Sequence, residues 1–231
     1  MSSSSYPSRP ATSNSRRIAE RLQQVGIIVH LEQALGRNTV LELGDALAAV
    51  PIGAVLVAQA APGSLRTLAL LRERIGDAVL LGISGCVSED EAKMAIEAGA
   101  QYVMAPYFRP RTANYVSRHD VLYVPTVLSR TEAVENTARG YALQCVYPAE
   151  IFGPDYLADL RAAAPDSALL AGGGITQKEV EAYVRAGAVG LVVSVTLDER
   201  TWWTQTRIIE QLRIWRSIWA QAGLQTSAQE G

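Results

Sequence analysis

The run SEDEAKMAIEAGAQYVMAP, from Ser88 to Pro106, holds a complete structural unit: a helix start, a helix stop and a strand. Ser88-Glu-Asp-Glu91 has the form of a capping box, in which a hydroxyl accepts from free N–H groups of the first turn and the glutamate reaches back to the cap. Gly99 follows eleven residues after Ser88 and can take the left-handed conformation that ends a helix. Gln101–Pro106 then reads as an apolar strand. The same sentence is written twice more. Ser129-Arg-Thr-Glu132 leads to Gly140 and the strand Leu143–Pro148; Thr176-Gln-Lys-Glu179 leads to Gly187 and the strand Val189–Ser194. A capping box alone is a common accident. Three with one helix length and one sequel are a repeat.

Short apolar runs between turn signals place five further strands, at Gly26–Leu31, Ile52–Gln59, Ala78–Ile83, Val121–Val127 and Ala168–Gly172. Helical patterns fill the gaps near Thr39–Ala49, Ser64–Ile75, Thr112–Ser117 and Pro154–Ala163. A last helix, about Glu199–Ala220, carries Ile208, Leu212, Trp215 and Trp219 on one face. Strict alternation with unbroken apolar strands predicts a parallel sheet clothed in helices. Eight units in 231 residues predict closure, so the fold class is α/β, a (β/α)8 TIM barrel spanning residues 16–224. Residues 1–15 are Ser/Pro-rich, lack the apolar centre of a signal peptide and read as a disordered tail; residues 225–231 read as a loose end.

With 48% hydrophobic and 19% charged residues the chain can fill a core and cover it. A net charge of −2 offers no general attraction for nucleic acid or an anionic membrane, so an anion site must be built locally. Cys86 and Cys145 have neither metal-ligand nor redox spacing and sit in apolar runs, as buried reduced thiols do. A cytoplasmic protein that needs no cofactor is the expectation.

Barrels of this kind place their chemistry at the C-terminal ends of the strands. That rule selects His30, Glu32, Gln59, Ser84, Pro106, Arg109, Thr126, Cys145, Glu150, Gly172, Gly173, Gly174 and Ser194. The glycines lead into the Thr176 capping box, so backbone N–H groups and a helix start would face a ligand, with Ser194 completing an anion cradle.

These residues resemble a family. Gly99–Pro106, Tyr147-Pro-Ala-Glu-Ile-Phe-Gly-Pro154, Gly173-Gly-Ile175 and Ala186-Gly-Ala188 are similar in order and spacing to the KDPG and 4-hydroxy-2-oxoglutarate (KHG) aldolases, from about Gly26 to Leu197. The resemblance implies a homotrimeric class I aldolase that forms an imine between a lysine and a 2-oxo acid. It also puts that lysine three residues before Pro148, where this chain has Cys145. The two lysines present, Lys93 and Lys178, fall on helices. The family's proton-transferring glutamate aligns with Val57, or with Leu56 after a slip of one, and no carboxylate occurs from Pro51 to Arg72. A Gly-Ala-Gly-Thr carboxylate-binding motif is replaced by Gly82-Ile-Ser-Gly85. At the phosphate positions Gly173, Gly174 and Ser194 persist, with Val193 in place of a glycine.

Three functions are therefore weighed. The first is a barrel that binds a small phosphorylated or carboxylated 2-oxo acid without imine chemistry, through Gly172, Gly173, Gly174, Ser194, Pro106 and Thr126. The second is a metal-assisted lyase or decarboxylase, with His30 and Glu32 on one side of the first strand and Glu150 as a third ligand. The third is a scaffold, with Trp202, Trp203, Trp215 and Trp219 building an interface. Arg109, Arg111, Arg118 and Arg130, after the fourth and fifth strands, are further candidates for phosphate contacts.

Overall fold

The computed structural model describes residues 13–50, 52–195 and 204–229. Eight parallel strands close in sequence order: β1 (Ile27–Leu31), β2 (Ala54–Ala58), β3 (Leu80–Ser84), β4 (Tyr102–Ala105), β5 (Leu122–Val127), β6 (Leu143–Val146), β7 (Ala168–Gly173) and β8 (Gly190–Ser194). β8 returns to β1, with Ile27 opposite Leu191 and His30 opposite Ser194. Each strand lies within two residues of its expected place. The helices between them are α2 (Arg37–Ala49), α3 (Ser64–Ile75), α4 (Glu89–Glu97), α5 (Pro110–Arg118), α6 (Arg130–Ala138), α7 (Ala149–Ala163) and α8 (Val180–Arg185), preceded by α1 (Ser13–Val25) and followed by α9 (Gln205–Gln229).

Two of the three capping boxes are complete. Ser88 Oγ accepts from the Glu91 N–H at 3.2 Å and Glu91 accepts from the Ser88 N–H at 3.1 Å; the Ser129–Glu132 pair does the same at 3.3 and 2.9 Å. The third is half made. The Thr176 N–H and hydroxyl both donate to Glu179, at 2.8 and 2.7 Å, while the Glu179 N–H turns to the Thr176 carbonyl. Residues 176–179 are thus a turn, and α8 starts at Val180 rather than Thr176. Gly99, Gly140 and Gly187 all take positive φ, as the helix stops demand.

The strands have two faces, and strand parity sorts every candidate. Val29, Val55, Val57, Leu81, Val103, Leu191 and their neighbours pack outward under the helices. Ile28, Leu56, Leu80, Tyr102, Val124, Cys145, Leu170 and Val192 fill the inside. Tyr102 crosses the interior and donates to the Val55 carbonyl at 2.8 Å. Its ring occupies the space where any side chain at Gly82 would stand, which is why that inward position carries none.

The sequence reading did not place α1. This helix begins at Ser13, within the stretch read as tail, and drives Ile18 and Leu22 into the inner cluster. It closes the N-terminal end of the barrel. Asn14 donates to the Asp120 carbonyl at 2.8 Å, and Arg21 reaches the carbonyls of Asp77 and Ala78 at that same end. At the other terminus α9 continues through Gln229, past the expected boundary at 225. Ile208, Leu212 and Trp215 are buried under it, and the Trp219 indole lies against Gly26 at the foot of β1. Trp215 and Trp219 are thus packing residues; Trp202 and Trp203 lie outside the described residues. No described helix is long and apolar enough to cross a membrane.

Candidate functional site

α1 packs across the floor, where a cleft remains beside it along Leu122, Leu143 and Ala168, and the barrel mouth opens at the C-terminal ends of its strands. There His30, Leu56, Ser84, Gly85, Met104, Pro106, Thr126, Cys145, Tyr147 and Val192 enclose a cavity of about 180 Å³. That suits a molecule of a few heavy atoms. Six of the thirteen mouth positions selected from the sequence meet here or at its wall: His30, Ser84, Pro106, Thr126, Cys145 and, beside the Cys145 thiol, Gly172. Gln59 is turned the other way, with Cys86 Sγ 3.8 Å from its Oε1.

Cys145 is fully buried, and burial pushes its thiol up to about 12. Its sulfur faces the interior, as the residue at the imine position of a mouth-acting barrel must, but it stays protonated at neutral pH. No base touches it; its nearest polar partner is the Val146 carbonyl at 3.8 Å. Neither lysine approaches the cavity: Lys93 is exposed on α4 and Lys178 exposed in the turn before α8. Parity also corrects the position of the missing glutamate. Val57 belongs to the outer layer beneath the helices, whereas Leu56 lines the cavity, so Leu56 stands where an inward carboxylate would have to be.

The glycine loop differs from its expected form in two ways. The Glu150 carboxylate lies directly over Gly173, so close that any side chain there would collide with it. The Thr176 N–H is held by Glu179, whose own carboxyl is held below the usual range by the two Thr176 hydrogen bonds. Two native carboxylates therefore sit where a ligand anion was expected. No helix start stands behind the glycines, and Ser194 is exposed at the rim outside the cavity.

His30 is the best-connected group in the mouth. Its Nε2 lies 2.9 Å from Ser84 Oγ and its Nδ1 lies 3.3 Å from Glu32 Oε1. A carboxylate only accepts, so Nδ1 carries the proton and Nε2 accepts from the serine hydroxyl. His30 is 12% exposed and Glu32 47%. Burial lowers the imidazole below its ordinary value of 6.5, against a smaller opposing pull from Glu32. The sequence placed His30 and Glu32 on one side; it gave no cue that Ser84, two strands away, would join them. Its register partner on the intervening strand is the small Ala58, which leaves the space between them open. With both nitrogens engaged inside the protein, and with no metal-type cluster of three His, Cys, Asp or Glu among the described residues, the His30–Glu32–Glu150 ligand set does not form.

The depressed histidine makes a stability prediction. Below about pH 6.5 the unfolded chain takes a proton that folded His30 refuses, so stability falls with falling pH until the folded value is reached, and is fully present above. Urea midpoints measured between pH 8 and 5 should show this acid slope in the wild type and a flatter one in His30→Gln. Equal slopes would rule out His30 as its source.

The four arginines do not meet in the mouth cavity; Arg109 and Arg111 line a separate surface pocket together with Glu89 and Asp90. Arg130 pairs with Asp159 at 3.0 Å, and Arg109 lies over the Tyr107 ring, 5.6 Å from its centroid. Arg118 ends α5 and so belongs to the floor rather than the mouth.

Comparison with known proteins agrees with this architecture. The family model for KDPG and KHG aldolase matches residues 18–212. The 2-dehydro-3-deoxy-phosphogluconate aldolase of Treponema pallidum (strain Nichols) is 34% identical over 86 residues, 37% of this chain and 40% of that protein. The 2-dehydro-3-deoxy-6-phosphogalactonate aldolase of Escherichia coli (strain K12) is 25% identical over 116 residues, 50% of this chain and 57% of that one. The chain thus spans about half the length of these curated relatives. A solved 4-hydroxy-2-oxoglutarate/2-dehydro-3-deoxyphosphogluconate aldolase from TTHB1 superposes with a TM-score of 0.75 at 24% identity, covering 90% of this chain and 99% of its own, a likeness of fold. On the match of the family model over most of its length, this chain belongs to the KDPG and KHG aldolase family.

Proposed function

We propose that this family member binds a small 2-oxo acid in the barrel mouth and does so without forming an imine. The observation that carries this reading is Cys145: the inward residue of β6 at the cavity wall is a buried, protonated thiol, and neither lysine reaches the cavity. The polar groups available to a carboxylate or ketone are the imidazole of His30 and the hydroxyls of Ser84, Thr126 and Tyr147. A phosphate or second carboxylate would be received by Gly172, Gly173, Gly174 and Ser194 only after Glu150 turns away, because like charges repel strongly where water is scarce. The homotrimer and cytoplasmic location implied by the resemblance belong to the same reading. Exposed Leu128, Val134, Ile151 and Phe152 provide apolar surface for such an assembly.

Thermal melts test the proposal. A phosphorylated 2-oxo acid at about one hundred times its dissociation constant should stabilise by about 2.7 kcal/mol. Glu150→Gln should enlarge the shift at any fixed ligand concentration, since it removes the competing charge from the glycine loop. If pyruvate, a dicarboxylic 2-oxo acid and a phosphorylated one all leave both proteins unshifted at millimolar concentration, the binding reading fails and the scaffold reading gains.

A further inference from the structure

The Ser84–His30–Glu32 arrangement lies in the same mouth as the proposed 2-oxo acid site, yet binding alone does not call for its geometry, and neither does imine chemistry. We propose that it gives this mouth a second activity: a hydroxyl nucleophile with its base and orienting carboxylate, able to hydrolyse a short-chain carboxylic ester. Three observations converge on it. The spacing of hydroxyl, imidazole and carboxylate, 2.9 Å and 3.3 Å, is that of a nucleophile, its base and the group that orients the base. The tautomer is fixed in the productive sense, with Nε2 free to take the serine proton. The hydroxyl also opens into a cavity rather than into packing, since Ser84 and His30 both line the mouth.

The same cavity supplies what an acyl group needs. Leu56, Met104, Pro106 and Val192 form apolar walls, and about 180 Å³ admits an acyl chain of only a few carbons. The Thr126 and Tyr147 side chains line it as well, and neither hydroxyl has a hydrogen-bond partner among the described residues, so both are available to the carbonyl oxygen as its charge develops. Burial keeps His30 neutral and ready to accept a proton at neutral pH. In the forward step Ser84 Oγ bonds to the ester carbon as its proton passes to His30 Nε2. The bond to the alcohol oxygen then breaks and the alcohol leaves with that proton. Water attacks the acyl carbon, gives its proton to Nε2, and Ser84 Oγ departs and takes it back. Ester and water become acid and alcohol, and the residues return to their starting state. Glu32 touches no reacting atom; it holds Nδ1–H and steadies the transient imidazolium.

A hydroxyl that merely satisfies a buried histidine would be as unreactive as any surface serine, and a small alkyl fluorophosphonate separates the two cases. Incubated with the folded full chain, it should phosphonylate Ser84 to one equivalent, located by peptide mass spectrometry, and no label should form on Ser84→Ala or on chain denatured before the incubation. His30→Gln should slow labelling by about a hundredfold or more, the usual contribution of a positioned base. Glu32→Gln, at the half-exposed rim and so without cost to folding, should slow it by about tenfold, because water partly screens that charge. Hydrolysis of 4-nitrophenyl acetate should follow the same order. The proposal is overturned if the wild type takes no label after hours at millimolar probe, if the label sits on Tyr147 or Cys145, or if Glu32→Gln and His30→Gln both react at the wild-type rate. The melts read occupancy of the mouth and the label reads the reactivity of Ser84, so failure of one reading is distinguishable from failure of the other.

Discussion

Borohydride added to this protein in the presence of pyruvate is expected to leave its mass unchanged. Reductive trapping needs an amine that condenses with the ketone, and neither lysine is placed for it: Cys145 occupies the inward position on β6, while Lys93 on α4 and Lys178 in the turn before α8 are exposed and do not line the cavity. A thiol can add to a carbonyl, but the adduct has no cationic nitrogen to draw electrons from the carbon–carbon bond. The Cys145 thiol is further disabled by burial, which holds it protonated with a value near 12. The converse is equally testable. Cys145→Lys places an amine in the cavity, where burial lowers its pKa and frees its lone pair, so this variant should gain a reduced pyruvyl adduct. Breakdown of the bound acid should stay slow even then, because Leu56 lines the wall where a proton-transferring carboxylate would have to stand. A stoichiometric adduct on Lys93 or Lys178 of the wild type would overturn the assignment. So would a folded Cys145→Lys protein that traps nothing.

Why some of this was legible in the sequence and some was not follows from the range of the interactions. The repeat was readable because a capping box and a stop glycine act within one turn of chain, as Ser88, Ser129, Gly99 and Gly140 do. The third box misled at the same range: its first half forms, but the Thr176 hydroxyl donates to Glu179 instead of accepting from the backbone, and the helix slips to Val180. That slip removed the helix start from the anion cradle. The mouth residues followed from strand parity and the general position of sites in this fold, which is how His30, Ser84, Thr126 and Cys145 entered the same set. What no local pattern carried was who would meet whom. Glu150, at the start of α7, over Gly173 and His30 on Ser84 across two strands are contacts between separate elements, and period-two reasoning says which face a strand residue takes without saying which neighbour it reaches. Val57 illustrates the limit, since a slip of one residue in alignment exchanges the helix-facing wall for the cavity wall.

Leu22→Ala is expected to cost about 3 kcal/mol of stability, within the range for removing a fully buried leucine from a core that cannot collapse around the gap. The helix that carries it was missed because α1 shows only three large apolar residues on its buried face, Ile18, Leu22 and Val25, among Arg16, Arg17, Glu20, Arg21, Gln23 and Gln24. So sparse a stripe reads as solvent-exposed chain until there is a hole for it to fill. The barrel supplies that hole. Its inner layer at the N-terminal end is open between Ile28, Ala54, Leu80, Leu122 and Leu170, and Leu22, with no exposed surface, is buried in the cluster they form. Strands on all sides are hydrogen-bonded into a closed ring, so the walls cannot move inward to fill a void, which argues against the low end of the usual penalty. For a domain of this size about 3 kcal/mol corresponds to a melting temperature lower by roughly 6–12 °C. Leu22→Asp, which would bury a charge with no partner, should leave no cooperative transition at all. Urea denaturation gives the first number and a thermal melt followed by circular dichroism the second. A Leu22→Ala midpoint within error of the wild type, together with a folded Leu22→Asp, would mean that α1 does not close the barrel and that the cavity at the mouth has a second opening through its floor.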